Sequence, residues 1–138
     1  MSVVAIRAAL DTALDTLSPA IVTAKENVNF DAEAGVAATA PYQRVHLLLA
    51  QPDNAEISRR HVEQGIYQIT LCYPLNTGPA AAATRAELIR ATFYRGASFV
   101  AGGITVTIIR TPEIAPAMIE GDRYVVPVSI RFMAPVNT

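Results

Sequence analysis

Apolar residues recur at helical spacing at the start of the chain. Ile6, Leu10, Leu14 and Leu17 fall on one stripe, with Val3 one turn earlier, and predict an amphipathic helix. Asp11 and Asp15 lie on another face with Arg7, an arrangement that reads as a solvated surface rather than a metal-binding pair. Ser18-Pro19 is the expected stop, because the residue before a proline is pushed out of the helical region. Beyond it, Ile21-Val22 and Val28-Asn29-Phe30 suit short strands. The small residues of Ala32–Ala40 have no periodicity and predict a loop.

Four later segments alternate with period two, the mark of strands. In 43–49, Val45, Leu47 and Leu49 oppose Arg44, His46 and Leu48. In 65–73, Tyr67, Ile69, Leu71 and Tyr73 oppose Gln68, Thr70 and Cys72. In 104–110, Ile104, Val106 and Ile108 oppose Thr105, Thr107 and Ile109. In 124–132, Tyr124, Val126, Val128, Ile130 and Phe132 oppose Ser129 and Arg131. Alternation of this kind predicts a sheet covered on one face, wetter on the other, with antiparallel neighbours. Pro127 lacks a ladder donor, so its strand lies at an edge or its amide position faces away from a partner.

A helix is expected between the second and third of these strands. Gly78-Pro79 opens it, with Thr77 as N-cap and Pro79 at the first helical position. Leu88, Ile89 and Phe93 form its buried stripe, extended by Ala81 and Ala82 with Thr92 at the margin, while Arg85, Glu87 and Arg90 point outward. Gly96 stands where a C-terminal glycine belongs. Ala101-Gly102-Gly103 reads as a hairpin turn between Ser98–Val100 and the strand from Ile104. Residues 111–123, closed by a Gly121-Asp122 turn, and residues 51–64 read as longer loops and are contact candidates. The expected architecture is α+β: a mainly antiparallel β-sheet with two α-helices packed on one face.

Length and composition narrow the classes. At 138 residues and 14.7 kDa the chain is expected to form a single domain, 1–138, with a core large enough to need no metal or disulfide staple. Apolar residues make up 51%, but 24 are alanine, so the composition is that of an ordinary globular chain. The net charge of −1 argues against affinity driven by phosphate neutralisation, and no sequence-specific nucleic-acid binding is expected. The single cysteine, Cys72, excludes an internal disulfide framework and suits a reducing compartment. No apolar run reaches the ~20 residues of a membrane span, and no secretory signal opens the chain.

The catalytic inventory is thin. His46 sits in a strand and His61 in the loop Ser58-Arg59-Arg60-His61, and neither belongs to a ligand pair. Cys72 has no second cysteine at metal spacing and reads as a buried, inert thiol. Gly102-Gly103 lacks a phosphate-loop frame, and the serines form no nucleophile elbow. Glu120 and Asp122 mark the exposure of their turn. Tyr42, Tyr67 and Tyr73 read as core or interface. No catalytic residue, metal or cofactor is expected, and the chain is not read as an enzyme. The arginines Arg44, Arg59, Arg60, Arg123 and Arg131 are either solvated or used at a protein interface, where arginine is enriched.

Particular stretches are similar to a known family. Gln43-Arg44-Val45 with Leu48-Leu49-Ala50-Gln51-Pro52-Asp53-Asn54, Glu63-Gln64-Gly65-Ile66-Tyr67-Gln68-Ile69 with Tyr73-Pro74, and Arg85-Ala86-Glu87-Leu88 resemble a bacteriophage tail terminator-like family. The likeness continues through Gly102-Gly103-Ile104-Thr105-Val106-Thr107-Ile108 and Gly121-Asp122-Arg123-Tyr124-Val125-Val126-Pro127-Val128. It covers roughly residues 40–133 and looks like the terminator of lambda-type long flexible tails. The resemblance implies an α+β structural virion protein of a phage or prophage, made in the host cytoplasm and placed in the virion tail. It implies a six-membered ring that caps the tail tube, stops its polymerisation and presents the head-joining surface.

The implied partners are further copies of the chain, the major tail tube protein and a head-completion or connector protein. A closed ring needs two different complementary patches on each subunit. The candidate interface residues are Arg44, Arg59, Arg60, His61, Glu113, Ile114, Met118, Arg123 and Arg131. The alternatives are another head–tail connector or minor tail protein, or a small ligand-binding module. An enzyme would require the fold to gather His46, His61 and Cys72 in one cleft.

Overall fold

Two long strands form the spine of the protein. The computed structural model describes residues 2–17, 21–26, 41–76 and 78–137. Strand β3 (His61–Pro74) pairs antiparallel with β8 (Arg123–Val136) over fourteen consecutive residue pairs, from His61↔Val136 to Pro74↔Arg123. Outside β3 lie β2 (Tyr42–Leu49), antiparallel, and β1 (Val22–Ala24), which runs parallel to β2. Outside β8 lie β5 (Ile104–Ile108) and then β4 (Ser98–Ala101), both antiparallel. The short strands β6 (Glu113–Ile114) and β7 (Met118–Glu120) also pair with β8. The sheet is therefore mixed, with eight strands among the described residues, rather than uniformly antiparallel.

The core lies where period-two alternation meets helical stripes. Tyr67, Ile69 and Leu71 of β3, with Val128, Ile130 and Phe132 of β8, face helices α1 (Ser2–Asp15) and α2 (Ala80–Thr92). Each such side chain contributes about 1.5–3 kcal/mol on burial. Ile6, Leu10, Leu14 and Leu17 of the first helical segment close one side, and Ile89 with Phe93 close the other. Both helices thus pack on one sheet face, as the sequence predicts.

Pro127 lies in a central strand without breaking it. Its carbonyl accepts the Ala115 amide at 2.9 Å, so its nitrogen also points toward the β6–β7 side. The nitrogen therefore faces away from β3, the long ladder partner that holds Thr70 opposite Pro127. Of the two sequence readings, the amide facing away from a partner is the one that holds.

Helix α1 departs from its sequence reading at two positions. Val3 is exposed, while Asp11 is half-buried and accepts a hydrogen bond from the fully buried Tyr67 hydroxyl. Burial and the neighbouring carboxylate push the Tyr67 phenol strongly upward, so it stays a donor. Asp15 is exposed beside Lys25, 3.6 Å away. Just after β1, Glu26 accepts the Leu47 amide and an Arg7 guanidinium N–H, each at 2.9 Å. Its carboxylate satisfies a donor on the edge of β2 that three-residue β1 does not reach. The expected stop at Ser18-Pro19, the strand at 28–30 and the loop at 32–40 fall outside the described residues.

Helix α2 corrects the expected outward face. Arg85 is only 4% exposed, and its guanidinium approaches Gln43 Oε1 at 3.5 Å. Gln43 in turn donates to Thr23 on β1 at 2.9 Å. The reason is registry: Arg85 shares the stripe of Ala82, Ala86 and Ile89, so burial follows the helix face rather than the charge. Ala81 is exposed and Leu88 half-buried. Thr77 is outside the described residues, and Pro79 precedes the helix without a side-chain cap. Gly96 (φ 95) turns the chain within 94–97 instead of capping the helix, which ends at Thr92.

The loops are more ordered than their composition suggests. Gly102 and Gly103, at φ 57 and 78, form the two-residue hairpin turn between β4 and β5. Residues 111–123 are largely an edge laid along β8, not an irregular loop, and Arg90 Nε holds Pro112 O at 3.2 Å. Residues 51–64 are likewise divided: β3 already begins at His61, and Asp53 bridges to Val62. Only 54–60 form an exposed arm.

Three outcomes follow for stability. Tyr67→Phe strands the Asp11 carboxylate and lowers unfolding free energy by about 1–3 kcal/mol in a urea titration. A Cβ at Gly65 would stand 2.3 Å from the Leu48 carbonyl oxygen, so Gly65→Ala lowers the denaturation midpoint, by about 1–3 kcal/mol of stability. Burial works against the Glu26 charge, yet the Leu47 amide and Arg7 hold its carboxyl below its ordinary value of 4.5. Its contribution is complete above that value and is lost as pH falls through the lowered one. Acid unfolding followed by circular dichroism is therefore shallower in Glu26→Gln, which is less stable than the parent near neutrality.

Candidate assembly surface

The sheet face turned away from the helices collects most of the residues singled out from the sequence. Strand register places them in rows: His46, Gln68, Ser129 and Glu113 in one, Arg44, Thr70 and Pro127 in the next, then Tyr42, Cys72, Val125 and Met118. Alternation predicts this face to be wet, and through His46 and Arg131 it is exposed. At the Tyr42 row it is closed instead, with Cys72, Val125 and Arg123 all buried.

Long side chains close it by reaching across strands. Arg44 extends from β2 to Glu120 of β7, 3.4 Å away, and the Arg123 guanidinium sits 5.0 Å from the centre of the Tyr42 ring. Both contacts pass over β3, where Cys72 lies. Burial and the adjacent thiol push the Tyr42 phenol upward. Burial works to lower the Arg44 pKa, but Cys72, Glu120 and Tyr42 outweigh it and raise it, so this arginine stays charged. Cys72 is as buried as its sequence environment predicts.

The remaining candidates are dispersed. Arg59 and Arg60 stand on the arm at 54–60, where Arg60 lies 3.9 Å from Glu56 and the arm tip presents a fully exposed Ile57. His61 opens β3, with its Nε2 3.0 Å from Glu63. Glu113 and Met118 are exposed on the β6–β7 edge, whereas Ile114 packs against the core. Arg131 is exposed at the far end of the open face. The fold therefore joins Arg44, Arg123 and Met118 at one end and leaves Arg59, Arg60 and His61 at the other, with Arg131 between them opposite Ile66.

The fold does not gather His46, His61 and Cys72 in one cleft. His61 and Cys72 are separated by about 36 Å of extended β3 at ~3.3 Å per residue. His46 pairs with Gln68, about 13 Å along the strand from Cys72 by the same rise. Among the described residues no three His, Cys, Asp or Glu side chains gather as a metal site, and no helix is long and apolar enough to cross a membrane.

Met118 apart, the exposed apolar side chains are absent from the candidates that the sequence offers. Leu48, Leu49 and Ile109 surround a groove of about 400 Å³ whose wall includes Arg131. The adjoining recess, about 340 Å³, shares Ile109 and adds Arg95 and Arg110. At the opposite end Met118 and Ile119 are 52% and 71% exposed. A signal was present: Leu48 and Ile109 occupy the polar phase of otherwise regular alternation, and the fold brings them together into one apolar patch.

Comparison with known proteins bears on the fold and the family. A solved structure 21% identical to this chain, covering 96% of it and 95% of its own length, superposes with a TM-score of 0.74 and shares its fold. Among curated proteins none matches. Residues 5–132, which include α1 from Ala5, all of α2, the spine to Phe132 and both exposed ends, match the family described as phage tail terminator protein. The chain belongs to the phage tail terminator protein family.

Proposed function

We propose that this chain, as a single domain of residues 1–138, terminates a phage or prophage tail by forming a ring on the end of the tail tube. Family membership across residues 5–132 carries this reading. A structural role in the tail is common to the family, and the finer assignments are a homohexameric ring, arrest of tube polymerisation and a head-joining surface. Its partners are other copies of itself, the major tail tube protein and a head-completion or connector protein. The chain acts in the virion tail after assembly in the host cytoplasm, without a cofactor or catalytic step. Arg44, Arg59, Arg60, His61, Glu113, Ile114, Met118, Arg123 and Arg131 belong to its contact surfaces, with buried Arg123 and half-buried Ile114 shaping those surfaces from beneath.

The mechanism is mass action at a growing end. A ring that binds the tube end more tightly than incoming tube subunits do blocks further addition, because it occupies the acceptor surface. A closed ring also provides many weak subunit contacts acting together, so the cap dissociates far more slowly than one subunit would. Exposed apolar side chains at both ends of the sheet, interleaved with arginines and carboxylates, suit protein–protein contact of this kind.

Tube length is the direct readout. Adding the purified chain to polymerising cognate tube subunit, at one ring per growing end, shortens the tubes seen by electron microscopy in proportion to the amount added. Tubes of unaltered length at stoichiometric amounts would refute the terminator role.

A further inference from the structure

We infer that copies of this chain join head to tail, the β7–β8 hairpin of one copy seated in the groove beside Arg131 of the next. This inference rests on the ring-forming reading and names the two surfaces that such a contact uses. The hairpin offers Met118 and Ile119, both more than half exposed, followed by the carboxylates of Glu120 and Asp122 around Gly121. Glu120 directs one oxygen to Arg44, and Asp122 is exposed and meets no cation among the described residues.

The groove offers the complement. Leu48, Leu49, Ile66 and Ile109 form an apolar floor of about the size an aliphatic side chain or two would fill. Arg131 stands on its wall, and Arg95 with Arg110 stand on the recess that continues from Ile109. Among the described residues no carboxylate pairs with these three arginines. An apolar projection carrying acids thus matches an apolar recess rimmed by bases, which is the combination that gives an interface both burial and register. A nucleic-acid backbone would use the arginines but leave the leucine and isoleucine floor without a partner.

Position excludes pairing within one molecule. Hairpin and groove sit toward opposite ends of β8, with Arg123 and Arg131 about 26 Å apart at ~3.3 Å per residue. Two different patches on opposite ends add subunits in succession, and a suitable rotation between them closes the series into a ring.

Mixed disulfide trapping tests the contact. Ile119→Cys and Leu48→Cys are made in separate full-length chains, and each is oxidised alone and in mixture, with and without growing tubes. Both sites are surface positions, and Cys72 is buried away from oxidant. The expected product is a dimer holding one chain of each kind, formed in the mixture and absent from either chain alone. Self-linking of Ile119→Cys, or no mixed product in either condition, overturns the inference. In light scattering, Asp122→Arg and Arg131→Glu each weaken association at least tenfold, and combining the two in one chain restores it. Failure of the combination to restore association also overturns it. Tube arrest without the mixed disulfide removes this contact and leaves the terminator role standing. The mixed disulfide without arrest does the reverse.

Discussion

The continuous antiparallel pairing of β3 with β8 is the constraint on which the other elements depend. Fourteen facing pairs set one register, and a slip of one residue would turn Tyr67, Ile69 and Leu71 away from the helices. Both neighbours take their position from it: β2 runs along β3 from Gly65 to Cys72, and β5, β6 and β7 divide the other side of β8 between them. The helices then have one apolar face to cover. Strand contacts far apart in sequence dominate this architecture, and their pairing must precede any gain from the core.

Several polar groups that reach the interior make contacts that lock the layers together. Tyr67 ties the middle of the spine to α1 through Asp11, and Gln43 links β1 to Arg85 on α2. Glu26 closes the open amide of Leu47 and holds Arg7 at the same time. Each of these contacts fixes a helix or edge against the sheet at one angle, where apolar packing alone tolerates several.

The same spine separates the two surfaces proposed for assembly. One end of β8 carries the acidic, apolar hairpin, and beyond its middle the strand passes the basic, apolar groove. The covered face is spent on the helices, which leaves the strand ends and the far face for contacts between proteins. His46, His61 and Cys72 stand apart along the same strands, so the fold does not bring these three side chains into one cleft.

Local periodicity alone determined a good deal: both helices, all four principal strands, the Gly102-Gly103 and Gly121-Asp122 turns, and the faces of Tyr67 through Tyr73 and Val126 through Phe132. These follow from backbone geometry, in which side chains repeat every two or every 3.6 residues whatever lies nearby. The family likeness was also legible, since its residues are spread through those same elements. The tertiary structure decided what depends on neighbours remote in the chain. It made the sheet mixed at β1, turned 111–123 into strands against β8, buried Arg85 and Arg123, and drew Asp11 to Tyr67. It also set Leu48 beside Ile109 and Arg131, a patch that no short window of sequence contains. Burial is a property of everything packed around a residue, so charge and spacing along the chain describe it only where the neighbours are local.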